Sequence, residues 1–407
     1  MRPEAFIASK IFSLSPDKVS TLVMRITLLS VSIGVAVMLI SLAIVVGFKN
    51  QIRDKVIGFV APIQIESLDQ NESLQQSAIQ LDSVMINSIL ALEGVKNIQA
   101  VAEKAGIIKT EDQIQGVVLK GVDASYNWSY FQSKIIEGNL PNFQEEERSL
   151  EVLISKSLSD KLLLKIGDPL RMWFVDGNEK ARGRRFLVSG IYETGLVEFD
   201  DRYVLGDLDQ IRRLNSWNAD EAGSLEVLLH QNASATTINE SIYFSLPVNL
   251  TSFTAISAYP HIFDWLNLQD MNVIIIIILM VMVSGITVIS LLLMMVIERT
   301  SMIGVLKAMG ASNQMIRRLF LLYSVKLLVI GLLVGNVLGL GFALFQAKTG
   351  FFELPAESYY LSTVPIDLQL SSVLLVNLGA GIIWFFMLLI PSFIINSIKP
   401  ASAIKFS

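Results

Sequence analysis

The chain of 407 residues has no cysteine, only two histidines (His230 and His261), and few charges, 17% of its residues. Without cysteine, an exported domain has no disulfide and must be held by its own core. The two histidines have no partners at ligand spacing, so no zinc centre is expected. No G-x-x-x-x-G-K-[ST] run occurs, which excludes a P-loop in this sequence. No G-x-S-x-G elbow offers a serine nucleophile. The sequence therefore carries no recognisable catalytic constellation and is expected not to be an enzyme.

What is present is apolar. Hydrophobic residues make up 52% of the chain, and they collect in four blocks, 22–48, 273–297, 319–345 and 373–395. Each is long enough to cross a hydrocarbon core of ~30 Å at ~1.5 Å per residue. The expected architecture is an α-helical membrane protein with four spans, one plus three. A large mixed α+β domain is inserted between the first and second. The first block is longer than a signal core and lacks an A-x-A-like site, so it reads as an anchor.

Loop charges set the orientation. Residues 1–25 carry Arg2, Lys10, Lys18 and Arg25 against Glu4 and Asp17; residues 298–318 carry Arg299, Lys307, Arg317 and Arg318 against Glu298; the tail carries Lys399 and Lys405. These pieces belong in the cytoplasm. Residues 49–272 hold 20 Lys+Arg and 31 Asp+Glu, a net of −11, and face outward with the short loop 346–372. The expected order is therefore a cytoplasmic amphipathic segment (1–21, with Phe6, Ile7, Lys10, Ile11 and Leu14 at helical spacing), span 22–48, outer domain 49–272 and span 273–297. A cytoplasmic connector (298–318), span 319–345, outer loop 346–372, span 373–395 and cytoplasmic tail 396–407 complete it.

Within 49–272, "APIQIES", "IQGVVLKGVD", "LEVLIS", "LRMWFV" and "RFLVSGIYE" alternate like strands, while "LDSVMINSILAL", "KSLSDKLLL" and "ATTINESIYFSL" have helical period. The polar piece 175–184, "VDGNEKARGR", reads as an exposed hairpin or loop. Residues 253–272 are expected to run without a break into the second span. The acidic group Glu193, Glu198, Asp200 and Asp201 offers either a hard-cation site or a solvated turn, and the turn is the preferred reading. Glu145, Glu146 and Glu147 read as a solvated loop.

In the third block, Lys326 stands about 10 Å from the cytoplasmic end and can snorkel. Gly331, Gly335 and Gly339 form two overlapping small-xxx-small steps suited to close helix packing, and Ser30 with Gly34 gives the first block a weaker version. The connector "VIERTSMIGVLKAMGASNQMIRRL" (296–319) is a short amphipathic helix. Ile303, Leu306 and Met309 or Gly310 share one face; Gly310 fits the helix end, and Ser312 can cap the next helix. A short helix between two spans is suited to receive a push from another protein.

The connector resembles the signature I-x-x-L-[KR]-x-[ML]-G-[AS] of FtsX/MacB-type ABC permeases, matched by Ile303, Leu306, Lys307, Ala308, Met309, Gly310 and Ala311. "FIASKIF", "VGFKNQIRDKVIGFVAPIQIE", "VVLKGVD", "ISKSLSDKLLLKIGDPLRM", "FLVSGIYETGLVEFDDRYV" and "KPASAI" resemble blocks of the LolC/LolE lipoprotein-releasing branch. The resemblance implies a MacB-like periplasmic domain and an inner-membrane permease that passes lipoproteins from the outer leaflet to a periplasmic carrier. ATP and Mg would be bound by a separate cytoplasmic ATPase dimer, with no cofactor on this chain. A second permease subunit (a paralogue or a second copy) and membrane lipids complete the implied partners; nucleic acid is not among them. Met302, Ile303, Val305, Leu306, Lys307, Met309 and Gly310 become the candidate ATPase-coupling residues. Val37, Met38, Ile40, Leu42, Met271, Ile274, Ile275 and Met280 become the candidate substrate path. Asp176, Gly177, Asn178, Glu179, Lys180 and Arg182 are the candidate carrier contacts, although 176–184 is shorter than the family's hook and lacks its proline. Two other readings remain open, a MacB-like efflux permease and an FtsX-like mechanotransmitter that controls a cell-wall hydrolase. The first usually carries its ATPase in the same chain, and the second has a smaller outer domain.

Overall fold

The computed structural model describes residues 18–69, 76–110, 113–143, 149–175, 181–231, 233–355, 359 and 361–393. The amphipathic spacing at 6–14, the loop with Glu145 to Glu147, carrier candidates Asp176, Gly177, Asn178, Glu179 and Lys180, and the tail 396–407 lie outside these residues. The chain forms two compact units, one from 1–50, 265–353 and 363–407, the other from 51–264 and 354–362.

Among the described residues the first unit is built on four long helices: Lys18–Val60, Pro260–Glu298, Asn313–Thr349 and Leu370–Ser392. All four are long and apolar enough to cross a membrane. Hydrocarbon offers no hydrophobic drive between helices, so close approach and hydrogen bonds must hold them. The first helix meets the second where Gly34 leaves room for the Ser284 hydroxyl, and the Ser30 and Thr287 hydroxyls lie 3.3 Å apart. It meets the third along Gly331, Gly335 and Gly339. A Cβ at Gly331 would stand 2.7 Å from Val31; one at Gly335 would stand 2.7 Å from Val35 and from the Ser32 carbonyl. At Gly339 it would lie 3.0 Å from Ala36. The Ser32 hydroxyl donates to the Gly331 carbonyl at 3.1 Å.

The fourth helix closes the bundle. Its Trp384 indole N–H donates to the Val281 carbonyl at 3.0 Å, and Asn377 exchanges amide bonds of 2.6 and 2.9 Å with Asn336. At the outer end, Lys49 pairs with Asp270 at 2.6 Å and Asn50 donates to Asp367 at 2.6 Å. The Phe48 and Trp265 rings meet edge-on there. Lys326 is exposed on the third helix.

Among the described residues the second unit contains twelve strands: β1 (Ile63–Ser67), β2 (Ile79–Gln80), β3 (Val95–Lys109), β4 (Ile114–Val122), β5 (Ile135–Gly138), β6 (Glu151–Ser155), β7 (Pro169–Val175), β8 (Ala181–Tyr192), β9 (Tyr203–Asp207), β10 (Glu221–Ala222), β11 (Ser224–Leu229) and β12 (Leu250–Thr254). Ten of them form one sheet in the order β12-β1-β11-β3-β4-β9-β6-β8-β5, and β7 pairs with both β3 and β8. That double pairing closes β3, β4, β9, β6, β8 and β7 into a six-stranded ring. The closing seam is short, Ile107 opposite Trp173 and Ile108 opposite Met172. Alternation fills the inside: Ile108, Leu119, Val152, Met172, Phe174, Phe186 and Val204 all belong to one buried cluster.

Helices flank this sheet, and their starts are set by side chains. Asp82, Ser155, Asp207 and Ser234 each accept a backbone N–H in the first turn of Ser83–Leu90, Lys156–Leu162, Leu208–Asn215 and Ala235–Ser245. Segment 175–184 leads out of β7 and back into β8, which pair from Pro169–Leu187 to Val175–Ala181.

Two boundaries differ from the sequence expectation. The first helix continues to Val60 because Ile52, Val56, Phe59 and Val60 carry its apolar spacing into the outer unit, where each is at most 1% exposed. Residues 253–272 are not one continuous run. β12 ends at Thr254, a capping box starts the short helix Ala255–Ala258, and a new helix begins at Pro260. Proline has no N–H to give the preceding turn, so it starts a helix and does not continue one.

Candidate functional site

The connector between the second and third long helices is itself helical, Thr300–Ala308. Arg299 leaves helical geometry before it, and the Thr300 hydroxyl turns back to the Ile297 carbonyl at 2.7 Å. After it, Gly310 adopts φ +90° and Ser312 caps Asn313–Thr349 by accepting from the Met315 N–H at 3.2 Å. A residue with a Cβ would be strained at that φ.

The helix has an inner and an outer face. Ile303 is fully buried in the same cluster as Ile316 and Phe320, and Gly304 is also buried. Met302 and Leu306 pack half-buried against that cluster. Val305 is 48% and Met309 79% exposed, Gly310 is exposed, and Lys307 lies between. Ile303, Leu306 and Met309 therefore do not share one face, and Gly310, the alternative third member, lies past the helix end at Ala308. Two steps of three residues at ~100° each turn the helix about 120° away from its starting direction. The outward apolar pair is Val305 and Met309.

The candidate substrate-path residues also divide. Met38 is fully buried in the bundle core, while Val37, Ile40, Leu42 and Met280 are half-buried. Met271, Ile274 and Ile275 are exposed, and Ile278, Met282 and Ile286 continue their stripe along the second helix. The structure thus brings Met271, Ile274 and Ile275 together on an open face and turns Met38 away from it.

Of the carrier candidates, Arg182 is described, and it is exposed on β8. It pairs with Phe174, whose side chain fills the ring, and so stands on the other side of the hairpin from the outward face, which is basic and aromatic. Arg171 stands opposite Arg185, and Trp173, opposite Gly183 on one side and Ile107 on the other, is 44% exposed.

The acidic turn is dispersed. Asp200 accepts from the Thr194 hydroxyl at 2.7 Å and from the Thr194 and Gly195 N–H groups at 3.1 and 2.9 Å. Burial raises its pKa despite those donors. Asp201 pairs with Lys161 at 2.7 Å, and Glu198 with His261 at 3.0 Å. Among the described residues, no group of three or more His, Cys, Asp or Glu could hold a metal ion. The turn serves the fold.

Sequence reading missed one ionic centre. Lys120 is 0% exposed, on β4, and pairs with Glu226 of β11 at 2.6 Å. The visible signal was a lysine inside the apolar run "VVLKGV".

Comparison with known proteins covers most of the chain. Residues 25–242 match the MacB-like periplasmic core domain, and residues 274–400 match the FtsX-like permease C-terminal domain. The lipoprotein-releasing system transmembrane protein LolC of Xylella fastidiosa (strain 9a5c) is 22% identical over 402 residues, covering 93% of each chain. LolE of Haemophilus influenzae is 20% identical over 402 residues, covering 94% of each. The pyoverdine export ATP-binding/permease protein PvdT of Pseudomonas savastanoi pv. phaseolicola is 28% identical over 372 residues, covering 81% of this chain and 51% of that one. With a periplasmic domain between its first and second spans and a helical connector before its third, the chain belongs to the FtsX/MacB superfamily of ABC permeases, multi-pass proteins of the inner membrane that act with an ATPase carried outside this sequence.

Proposed function

We propose that the chain is a permease subunit that releases lipoproteins from the outer leaflet of the inner membrane to a periplasmic carrier. The observation that carries this reading is end-to-end similarity to proteins named LolC and LolE, against a match to only half of the export protein PvdT. The outward pair Val305 and Met309 supports docking of the connector in a cytoplasmic ATPase dimer. The two permease positions are filled by this chain and a paralogue or second copy.

The cargo sets a physical requirement. Exposing an acyl chain to water costs about 0.8 kcal/mol per methylene. Three chains would exceed what an ATP cycle can offset, so the permease must offer apolar surface while the lipid leaves. Met271, Ile274 and Ile275 of the second helix, with the half-buried Ile40 and Leu42 of the first, are the proposed outer-leaflet surface. The basic and aromatic side of the β7–β8 hairpin, together with Arg182 from its other side, is the proposed carrier contact; it supplies charge where the family's longer hook is shortened.

The test uses the assembled complex in proteoliposomes, with a photo-crosslinking residue at Ile275. A triacylated lipoprotein should be captured before ATP is added and less after turnover, and ATP should move it to soluble carrier. Capture only from the third and fourth spans would overturn the path. Release of a peptide or siderophore, or activation of a hydrolase, without lipoprotein release would favour the efflux or mechanotransmitter reading.

A further inference from the structure

The last ten residues of the first-span helix, 51–60, belong to the outer unit and are built into it. Phe59 lies 5.5, 4.6 and 5.0 Å, ring centre to ring centre, from Phe131, Phe199 and Tyr203. Gly58 is pressed on the Tyr130 ring, which occupies the place a Cβ would need. The helix ends where Ala61 takes φ +62°, and Pro62 follows. The Gln64 side chain donates to the Val60 carbonyl at 2.8 Å, and the Pro62 carbonyl accepts from the Ala255 N–H at 3.0 Å.

A helix ends with carbonyls that have no partner inside it. Here the Lys120 ammonium donates to one of them, Phe59, at 2.7 Å, and to Glu226 Oε1 at 2.6 Å. Glu226 Oε2 accepts from Gln99 Nε2 at 2.7 Å, and Gln99 Oε1 accepts from the Asn127 N–H at 3.1 Å. Lys120, Gln99 and Glu226 come from three adjacent strands, β4, β3 and β11. Burial alone pushes the lysine's pKa down. The Glu226 carboxylate, with Tyr126 and Glu103, outweighs burial and holds its pKa above the usual range.

A fully buried ion pair is a poor source of stability, since apolar residues of similar volume often replace it without loss. What this pair does, and an apolar pair cannot, is grip one particular carbonyl. Sliding the helix along its axis or rotating it by a residue would leave a buried ammonium without that partner. The apolar contacts of Ile52 and Val56 tolerate such shifts far better.

We propose that Lys120 is a positioning residue that locks the end of the first-span helix to the central strands of the outer domain, so that axial movement of that helix passes into the sheet and is not absorbed at the Ala61–Pro62 turn. The inference rests on the chain being an ATPase-coupled permease of its family and not on the cargo being a lipoprotein.

The absence of cysteine allows clean spin labelling. Labels at Arg53→Cys, on the helix, and Ala124→Cys, beyond β4, are both at exposed positions. In the full complex with its ATPase they should give one narrow distance, the same without nucleotide and with trapped ATP. Lys120→Met alone leaves Glu226 buried without its cation and is expected to unfold. The paired variant Lys120→Met/Glu226→Leu should fold, keep ATPase activity within about twofold, and show a broadened distance that shifts with nucleotide. Ala61→Gly relaxes the turn without touching the grip, and it should keep the narrow distance. A narrow, nucleotide-independent distance in the paired variant, or broadening in Ala61→Gly alone, would overturn the proposal. If the paired variant fails to fold, the Ala61→Gly measurement still decides whether the turn or the lysine holds the joint. Loss of lipoprotein release with all distances as expected would count against the cargo and leave the joint standing.

Discussion

Met309 and Ile303 sit six residues apart on the connector helix and have opposite fates. Ile303 is inside the bundle, so Ile303→Asp buries an unpaired charge and should cost several kcal/mol of stability, with loss of the folded chain. Val305→Asp and Met309→Asp change exposed positions and should leave thermal stability of the isolated permease nearly unchanged. If these side chains dock in an ATPase groove, the same two variants should lower recovery of the assembled complex roughly tenfold, the effect of about 1.4 kcal/mol. Normal assembly by both would remove the connector's outer face from the interface.

Glu103 supplies a second residue-scale expectation. It borders a cavity of about 560 Å³ with Glu66, Tyr203 and Tyr259, and burial raises its pKa against the opposing pull of Lys120. A carboxyl whose folded pKa is raised binds its proton more tightly in the fold. Its unfavourable contribution therefore grows as pH rises from the unfolded value through the folded one. Glu103→Gln should raise the melting temperature at pH 7. That gain should disappear below the ordinary glutamate pKa, in melting curves taken across pH. An equal gain at low pH would mean that the glutamine acts by packing and not through the charge.

At the scale of elements, the helix-to-helix contacts are set by small residues on both sides. Gly335→Leu places a branched side chain where Val35 and the Ser32 carbonyl already stand, an overpacking cost of about 1–3 kcal/mol. Its expected outcome is a permease with a lower melting temperature in detergent, partly restored by Val35→Ala; no rescue would mean that the damage lies elsewhere on the helix.

The spans were legible in the sequence because composition alone defines them: twenty or more apolar residues leave few alternatives to a membrane helix. The outer strands were legible from alternation, as in "APIQIES" and "LRMWFV". Three things were not. The stretch 51–60 carries Arg53, Asp54 and Lys55, and its apolar spacing of Ile52, Val56 and Phe59 is too short to separate a helix end from a loop. The connector's residue types were readable, but which of them point outward depends on Phe320 and Ile316, which follow in another helix. Lys120 needed Gln99, Glu226 and Phe59, partners up to 106 residues away, before it meant more than an odd residue in a strand.

At the scale of the whole molecule, the outer domain draws β3, β4, β6, β7, β8 and β9 into one closed ring. β3 and β4 share nine residue pairs, whereas β3 and β7 share two. A closed ring leaves no free strand edge within it, and this one relies for that protection on two short seams, β6–β9 with one residue pair and β3–β7 with two. Fluctuations that open the native state start where few backbone bonds resist them. In hydrogen exchange of the intact protein, amides of Ile107, Ile108, Met172 and Trp173 should exchange faster than the amides between β3 and β4; slower exchange would place the weak point elsewhere. The consequence concerns chain hygiene. Each opening of the β3–β7 seam uncovers two strand edges beside Trp173 and Ile107, so aggregation of the periplasmic domain under heat or crowding should begin there, with the basic residues Arg171 and Arg185 acting as gatekeepers against it.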